Sequence, residues 1–373
     1  MNALRHWQRQ PRVVQALGLL GLFFVIAWLD LLDQDLSLFA LYLIPALYAA
    51  WFLGLRWAYV SCLASAVVWA IADLGGPAFY HRALILYWNV AGRLIVLTVI
   101  VAVVNALKRS LEVEHEYEAE RRGTQRELEI AREVQKRLLP SQAPECPRMD
   151  FDFFHQSARD VGGDYYDFIP FSPEQMGVVV GDVCGKGLPS SLLMASLQGM
   201  VRTNLDARQG EVARFAIELN DSFHALTASD RYATLFFAVV DVPNQTLHYV
   251  NAGHNPPLLF RIGTSPASDQ SMIESLECGG PPIGILARSQ YQSEHVRLHA
   301  GDVLVAYTDG VVEALNLREE EFGEERLSDI VRSSLSLGAV NICKRIAEQL
   351  QAFVAESPQR DDITLVVMKV KPE

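Results

Sequence analysis

The chain has 373 residues, half of them apolar and 20% charged, with a net charge of −12. The charge is uneven: residues 1–110 carry +4 and the remaining 263 carry −16. So acidic a C-terminal part excludes a nucleic-acid-binding role, which needs Lys and Arg against phosphate, and suits a site that gathers carboxylates around hard cations.

Four apolar segments fill the first third, at residues 13–29, 36–55, 57–72 and 83–106; Arg93 is their one charge. A helix needs about 20 apolar residues to cross a bilayer, so a membrane module with four transmembrane helices is expected over residues 1–106. Runs with no polar face argue against a soluble bundle. Arg5, Arg9 and Arg12 precede the first segment, and Asp30, Asp33 and Asp35 follow it. Arg56 separates the second from the third, and Lys108 and Arg109 follow the fourth. This distribution puts both ends of the module on the cytoplasmic side. The first apolar run leads into Asp30 rather than a small-residue cleavage site, which does not read as a cleaved signal peptide. A charge in mid-span is costly, so Arg93 is expected to face Asp30, Asp33 or Asp73, or to line a signal-binding pocket. The five cysteines are odd in number and form no C-x-x-C pair, which predicts free thiols in a reducing compartment.

Residues 107–140 are rich in Glu, Arg, Lys and Gln and read as a linker helix ended by Pro140 and Pro144. Ile130, Val134 and Leu138 recur at helical spacing, and Leu128, Ala131 and Leu138 make a rough seam. Two readings stay open: a solvated linker, or a signalling helix that packs on itself in a homodimer. A third unit, residues 141–373, alternates strands and helices. Strands are expected at 176–183, 302–308 and 363–370, with a hairpin of 232–242 and 246–251 around Pro243-Asn244. Helices are expected at 187–202, 212–226 and 339–354. The fold class is α+β and β-rich, with helices on the sheet faces.

Four acidic motifs lie where strands meet turns: Val161-Gly-Gly-Asp164-Tyr-Tyr-Asp167, Gly181-Asp182-Val-Cys-Gly-Lys-Gly187, Tyr307-Thr-Asp309-Gly310 and Arg360-Asp361-Asp362-Ile-Thr364. Any one of them is an ordinary turn. Together they offer the all-oxygen donors that Mg²⁺ and Mn²⁺ prefer. Two such ions can clamp a phosphate and supply the water that attacks it.

With Ala131-Arg-Glu-Val-Gln-Lys-Arg-Leu-Leu-Pro140, Asn251-Ala-Gly-His-Asn-Pro-Pro257 and Gly279-Gly-Pro-Pro-Ile-Gly284, the set resembles the metal-dependent 2C-type protein phosphatases in their bacterial SpoIIE-like, RsbU-like branch. The resemblance runs from about Arg126 to the C-terminus. It implies a 2C-type β-sandwich flanked by helices, preceded here by the membrane module and the linker helix. It implies Mn²⁺ or Mg²⁺, two ions or three, held by Asp164, Asp182, the carbonyl of Val183, Asp309 and Asp361. Asp182 would bridge both ions, and Asp182 and Asp164 would be the catalytic carboxylates; Asp362 stands as the alternative to Asp361. Thr364 is expected to hydrogen-bond in its turn. Cys184 takes the place of a histidine that serves eukaryotic members as a general acid, which leaves the proton donor open. It is read as a packing residue, Lys186 as a phosphate contact or a solvated lysine, and His254 as a turn histidine bonded to backbone.

The implied reaction is hydrolysis of phosphoserine or phosphothreonine on a protein partner, with a STAS-type anti-sigma-factor antagonist as the expected substrate. The implied location is the bacterial cytoplasmic membrane with the catalytic domain in the cytoplasm. The rival reading is a catalytically inactive phosphatase-fold scaffold at the membrane. A nucleotide phosphohydrolase is not supported, since the chain has no G-x-x-x-x-G-K-[ST] loop.

Overall fold

A computed structural model describes residues 7, 10–32, 39–74, 83–172, 174–205, 211–227, 230–262 and 272–372. The chain divides into two compact units, Met1–Gly123 and Thr124–Glu373.

The first unit is helical: α1 (Arg12–Leu32), α2 (Leu43–Tyr48), α3 (Leu55–Leu74) and the start of the 56-residue α4 (Ala83–Leu138). Two of these helices, α1 and α4, are long and apolar enough to cross a membrane. Among the described residues the two middle segments give shorter apolar stretches, Ala40–Leu53 and Leu55–Val68, the latter within the 20-residue α3, so two helices rather than four are long and apolar enough there. For the second segment the reason is local. Residues 36–38 lie outside the described part, and the rest of the second segment passes through a 3₁₀ turn (Phe39–Tyr42), α2 and a π turn (Ala49–Leu53) before stopping at Gly54, whose φ is 97°. Composition is blind to such breaks. Small residues make the internal contacts: Ala46, Ala49, Ala50, Ala58 and Cys62 meet Leu19, Leu97 and Val101, as expected where helices approach closely. Large apolar side chains such as Phe24, Trp28, Leu63 and Trp88 point outward. Asp33 lies outside the described residues, as do the side chains of Asp30 and Asp73, and with them the expected partners of Arg93.

The second unit is a sandwich of two sheets with helices outside each. One sheet has the order β1-β11-β10-β6-β7, from strands β1 (Met149–Gln156), β6 (Leu258–Arg261), β7 (Met272–Ser275), β10 (Val303–Tyr307) and β11 (Ile363–Val370). The other runs β2-β3-β4-β5-β8, from β2 (Asp164–Ser172), β3 (Gln175–Val183), β4 (Ala233–Asp241), β5 (Thr246–Ala252) and β8 (Gly279–Gly280), with β9 (Glu294–Arg297) also on β5. All pairings are antiparallel except β5 with β8.

The period of two decides which layer each side chain joins. In β11, Val366, Met368 and Val370 enter the core between the sheets, where Phe151 meets Phe168 at 5.6 Å. Ile363, Leu365 and Val367 face the opposite way, toward α8 (Gly323–Arg332) and α9 (Ala339–Val354). The second sheet is covered by α5 (Leu188–Leu205) and α6 (Val212–Leu226), with Phe215 against Phe237 at 4.7 Å. The α+β fold with antiparallel sheets and flanking helices is as expected. The hairpin, β11, α6 and α9 fall where the sequence puts them. Strands β1 and β2 and helix α8 were not expected.

Candidate active site

The four acidic motifs meet at one end of the sandwich. Asp164 opens β2 and Asp182 nearly closes β3, and antiparallel register sets them directly opposite. Asp309 follows β10 at the first residue of the short helix α7 (Asp309–Val312), and Asp361-Asp362 lead into β11, the neighbour of β10. A Cβ on Gly310 would overlap the carbonyl oxygen of Asp362, so the Asp309-Gly310 turn sits directly on the Asp361-Asp362 turn.

Each carboxylate has a distinct environment. Asp164 is buried, and its Oδ2 accepts from Thr308 Oγ1 at 2.9 Å and Thr364 Oγ1 at 2.5 Å. Burial, then the charges of Asp182 and Asp362, raise its pKa well above the usual carboxylate range. Asp182 is pushed up to about 7 by burial and by Asp309, Asp361 and Asp362, with Lys186 opposing. Asp309 is raised by burial and by Asp361. Asp361 is one-third exposed and ion-pairs through Oδ2 with Lys186 Nζ at 2.6 Å; the same ammonium donates to the Arg360 carbonyl at 2.7 Å.

Asp362 differs. Its Oδ1 accepts the Ala158 N–H and its Oδ2 the Gly163 N–H, both at 2.7 Å. A carboxylate so engaged clasps a loop, whereas Asp361 is more open, and the charges of both act on Asp182. Val183 is buried, and its N–H donates to the Gly163 carbonyl at 3.2 Å, which ties β3 to the same loop.

Among the described residues no group of three His, Cys, Asp or Glu side chains is close enough to hold one metal ion. The donor chemistry nonetheless fits hard cations. Asp182, Asp309 and Asp361 offer only oxygens, and burial together with their mutual repulsion raises the pKa of two of them. Bound cations relieve that kind of repulsion.

Several residues play parts not foreseen. Thr308 and Thr364 lock together, the Thr364 N–H on Thr308 Oγ1 and the Thr308 N–H on the Thr364 carbonyl, both at 3.0 Å. Thr364 thus binds Asp164 rather than only its own turn. His155 Nδ1 lies 2.9 Å from Thr364 Oγ1; since that hydroxyl donates to Asp164, the ring is assigned as the donor here. Gln135, near the end of α4, holds Gly162 from both sides, its Nε2 on the Gly162 carbonyl at 2.8 Å and its Oε1 on the N–H at 3.1 Å. Asp167 is fully buried and paired bidentately with Arg202 at 2.8 and 2.9 Å, which fastens α5 to β2. Gln135 and Asp167 lie inside motifs visible in the sequence, but their partners are 27 and 35 residues away.

Cys184 packs against a loop: its Sγ accepts the Tyr232 N–H at 3.2 Å. His254 is buried, and burial lowers its pKa to about 4. Its backbone is held by Asn251 as expected of a turn, but the ring bonds to the Thr234 hydroxyl at 2.9 Å, and Thr234 faces Asp182 across the sheet.

The sequence pattern of Stage II sporulation protein E (SpoIIE) matches residues 172–371, more than half of the chain. Protein IcfG of Synechocystis is 28% identical over 268 residues, 65% of this chain and 41% of IcfG. Two Bacillus subtilis proteins are similar: the phosphoserine phosphatase RsbP is 26% identical over 67% of this chain and 59% of its own length, and the phosphoserine phosphatase RsbU is 27% identical over 66% and 70%. The chain thus spans only about half the length of the first two. Among solved structures, the SiaA-PP2C domain of Pseudomonas aeruginosa superposes with a TM-score of 0.58 at 20% identity, over 68% of this chain and 98% of that domain. The RsbU and RsbW domains of Rv1364c from Mycobacterium tuberculosis give 0.52 at 25% identity, over 63% of each chain. The second unit therefore has the 2C-type phosphatase fold, and the chain belongs to the SpoIIE family.

Proposed function

We propose that the second unit is a metal-dependent protein phosphatase that hydrolyses phosphoserine or phosphothreonine on a signalling partner. The observation that carries this reading is the convergence of Asp164, Asp182, Asp309 and Asp361, from four separate motifs, at one end of a 2C-type sandwich. Both RsbP and RsbU are named phosphoserine phosphatases, which supports the same chemistry here. Asp182, Asp309 and Asp361, with Asp164 and the Val183 carbonyl beside them, would hold two or three Mn²⁺ or Mg²⁺ ions. Such ions supply Lewis-acid charge for the phosphoryl oxygens and a nucleophilic water at neutral pH. The chain's own residues do the positioning. Thr308 and Thr364 fix the Asp164 carboxylate, and Asp362 clasps the loop that carries it.

In the same reading residues 1–106 are a membrane module with four transmembrane helices in a bacterial cytoplasmic membrane. Residues 107–140 link it to a cytoplasmic domain at residues 141–373 and pair in a homodimer. The partner is a phosphorylated STAS-type antagonist of an anti-sigma factor. The deciding experiment is phosphate release from a phosphoserine protein with added Mn²⁺, repeated with Asp182→Asn. Release that the substitution abolishes supports the enzyme. No release from the unmodified chain favours the inactive scaffold, and release that survives the substitution sinks the assigned site.

A further inference from the structure

A groove of about 590 Å³ opens beside the acidic cluster, and Lys186, Gly310 and Asp361 line both. Away from the cluster its floor is apolar: Leu350 and Ile363 are buried beneath it, and Phe154 and Val354 are half-buried. Its rim carries the exposed Gln351 on α9 and Arg360, whose side chain is 62% exposed.

We propose that this groove receives an apolar side chain of the phosphoprotein substrate, a few residues from the phosphorylated serine or threonine, and so selects which phosphosites are cleaved. The proposal rests on the phosphatase reading above.

Three observations support it. The groove is continuous with the proposed reaction centre. Lys186 joins the two, with its ammonium 2.6 Å from Asp361 Oδ2 and 2.7 Å from the Arg360 carbonyl. A polypeptide whose phosphate sits at the aspartates can therefore reach this floor within a few residues, at about 3.3–3.6 Å each. The volume falls in the range of about 300–1,000 Å³ typical of ligand pockets, which combine apolar walls with a few fixed polar groups. The acidic cluster, by contrast, offers only charge, and charge distinguishes a phosphate from other groups but not one phosphosite from another. Discrimination has to come from beside it. Arg360 at the rim pairs with an exposed Glu319 at 3.5 Å, and the exposed Glu313 and Glu321 line the same groove, so its rim carries both signs of charge around the apolar floor.

The test uses the full chain in detergent micelles with Mn²⁺. The probes are phosphoserine peptides of Gly and Ser in which a single leucine is walked along both sides of the phosphoserine. Hydrolysis of p-nitrophenyl phosphate, too small to reach the groove, is measured in parallel. At least one leucine position is expected to raise kcat/KM about tenfold or more, the factor that burial of one such side chain supplies. Gln351→Trp fills the groove from an exposed helix position and should erase that gain with p-nitrophenyl phosphate hydrolysis unchanged; Val354→Lys should do the same from the floor. A flat response to leucine position, or a preference that survives Gln351→Trp, overturns the proposal. So does a flat response in which Gln351→Trp changes the sedimentation of the chain, since the groove then belongs to a second copy. If the unmodified chain hydrolyses neither peptide nor p-nitrophenyl phosphate, the phosphatase reading itself falls, and the groove assignment with it.

Discussion

Asp361 and Asp362 are adjacent in sequence and hold opposite sides of the site. Asp362 accepts the N–H groups of Ala158 and Gly163 at 2.7 Å each, and Asp361 holds Lys186 at 2.6 Å. The one-residue offset points one side chain to the Gly162-Gly163 loop and the other to Lys186.

The pair should therefore fail differently when altered. Asp362→Ala leaves two backbone donors without a partner in a buried loop, a loss of about 2–5 kcal/mol in stability. Asp361→Asn removes a charge from a one-third exposed site and should leave the melting temperature of metal-free protein nearly unchanged. Its half-maximal Mn²⁺ concentration for phosphate release should rise about 10–100-fold. Melting in EDTA and an Mn²⁺ titration separate the two. Equal destabilisation by both changes would refute the division of labour.

Stability of the metal-free protein should depend on pH in an unusual direction. Asp182 titrates near 7 in the folded chain against an ordinary 3.8, and Asp164 and Asp309 are raised as well. Between those two values the folded state binds protons that the unfolded state has released. Stability of the metal-free fold is then greatest below pH 3.8 as far as these groups are concerned, and falls as pH rises through about 7. With saturating Mn²⁺ the trend should reverse, because ligands must be ionised to bind metal. Buried His254, lowered to about 4 from an ordinary 6.5, opposes this trend below pH 6.5, so melting temperatures above pH 6.5, in EDTA and in Mn²⁺, give the measurement. A midpoint that climbs with pH there in EDTA would contradict the burial and crowding of these carboxylates.

Much of the fold is legible in the sequence where one physical signal dominates. The hairpin of β4 and β5 is marked by β-branched runs on either side of Pro243-Asn244, and α6 and α9 by amphipathic spacing. Strand β1 is hidden because Asp150 and Asp152 interrupt its apolar run; Asp150 is there to cap α9, accepting the Ala339 N–H at 2.8 Å. Strand β2 is hidden for another reason: Tyr165, Tyr166, Asp167 and Phe168 are all buried, so no alternation shows. In the site, the aspartates announce themselves through Gly-Asp and Asp-Gly turns, but what holds them does not. Thr308 with Thr364 and Gln135 with Gly162 are pairs formed only by the tertiary fold, and a lone Thr or Gln carries no signature of its partner.

The ion pair of Asp167 with Arg202 offers a test of structure apart from chemistry. Asp167 is fully buried and also accepts from Tyr165 Oη at 2.9 Å, while Arg202 is about half exposed. Arg202→Ala should cost about 3 kcal/mol, toward the lower end for a broken buried pair because water can reach the vacated side. Asp167→Asn combined with Arg202→Met should recover most of the loss, since no buried charge remains. Denaturant unfolding of the two variants decides the matter, and a double variant no better than Arg202→Ala would count against the buried charge as the cause.

Gln135 should couple the end of α4 to the metal site. Its amide meets both polar groups of Gly162, so Gln135→Ala leaves an N–H and a carbonyl unpaired in a buried place, costing about 1–3 kcal/mol for each. The consequence should reach the site. The next residue, Gly163, donates to Asp362 and accepts from Val183, and Asp164 follows directly. Loosening Gly162 therefore loosens the one loop that positions Asp164, Asp362 and Val183 together. Gln135→Ala should lower both the melting temperature and the apparent Mn²⁺ affinity. Gln135→Glu keeps the acceptor for the Gly162 N–H but sets a carboxylate against the Gly162 carbonyl, and should fall between Gln135→Ala and the unmodified chain. Phosphate release titrated with Mn²⁺ reads the effect directly. If Gln135→Ala lowers the melting temperature but leaves the Mn²⁺ curve in place, this end of α4 supports the fold without tuning the site.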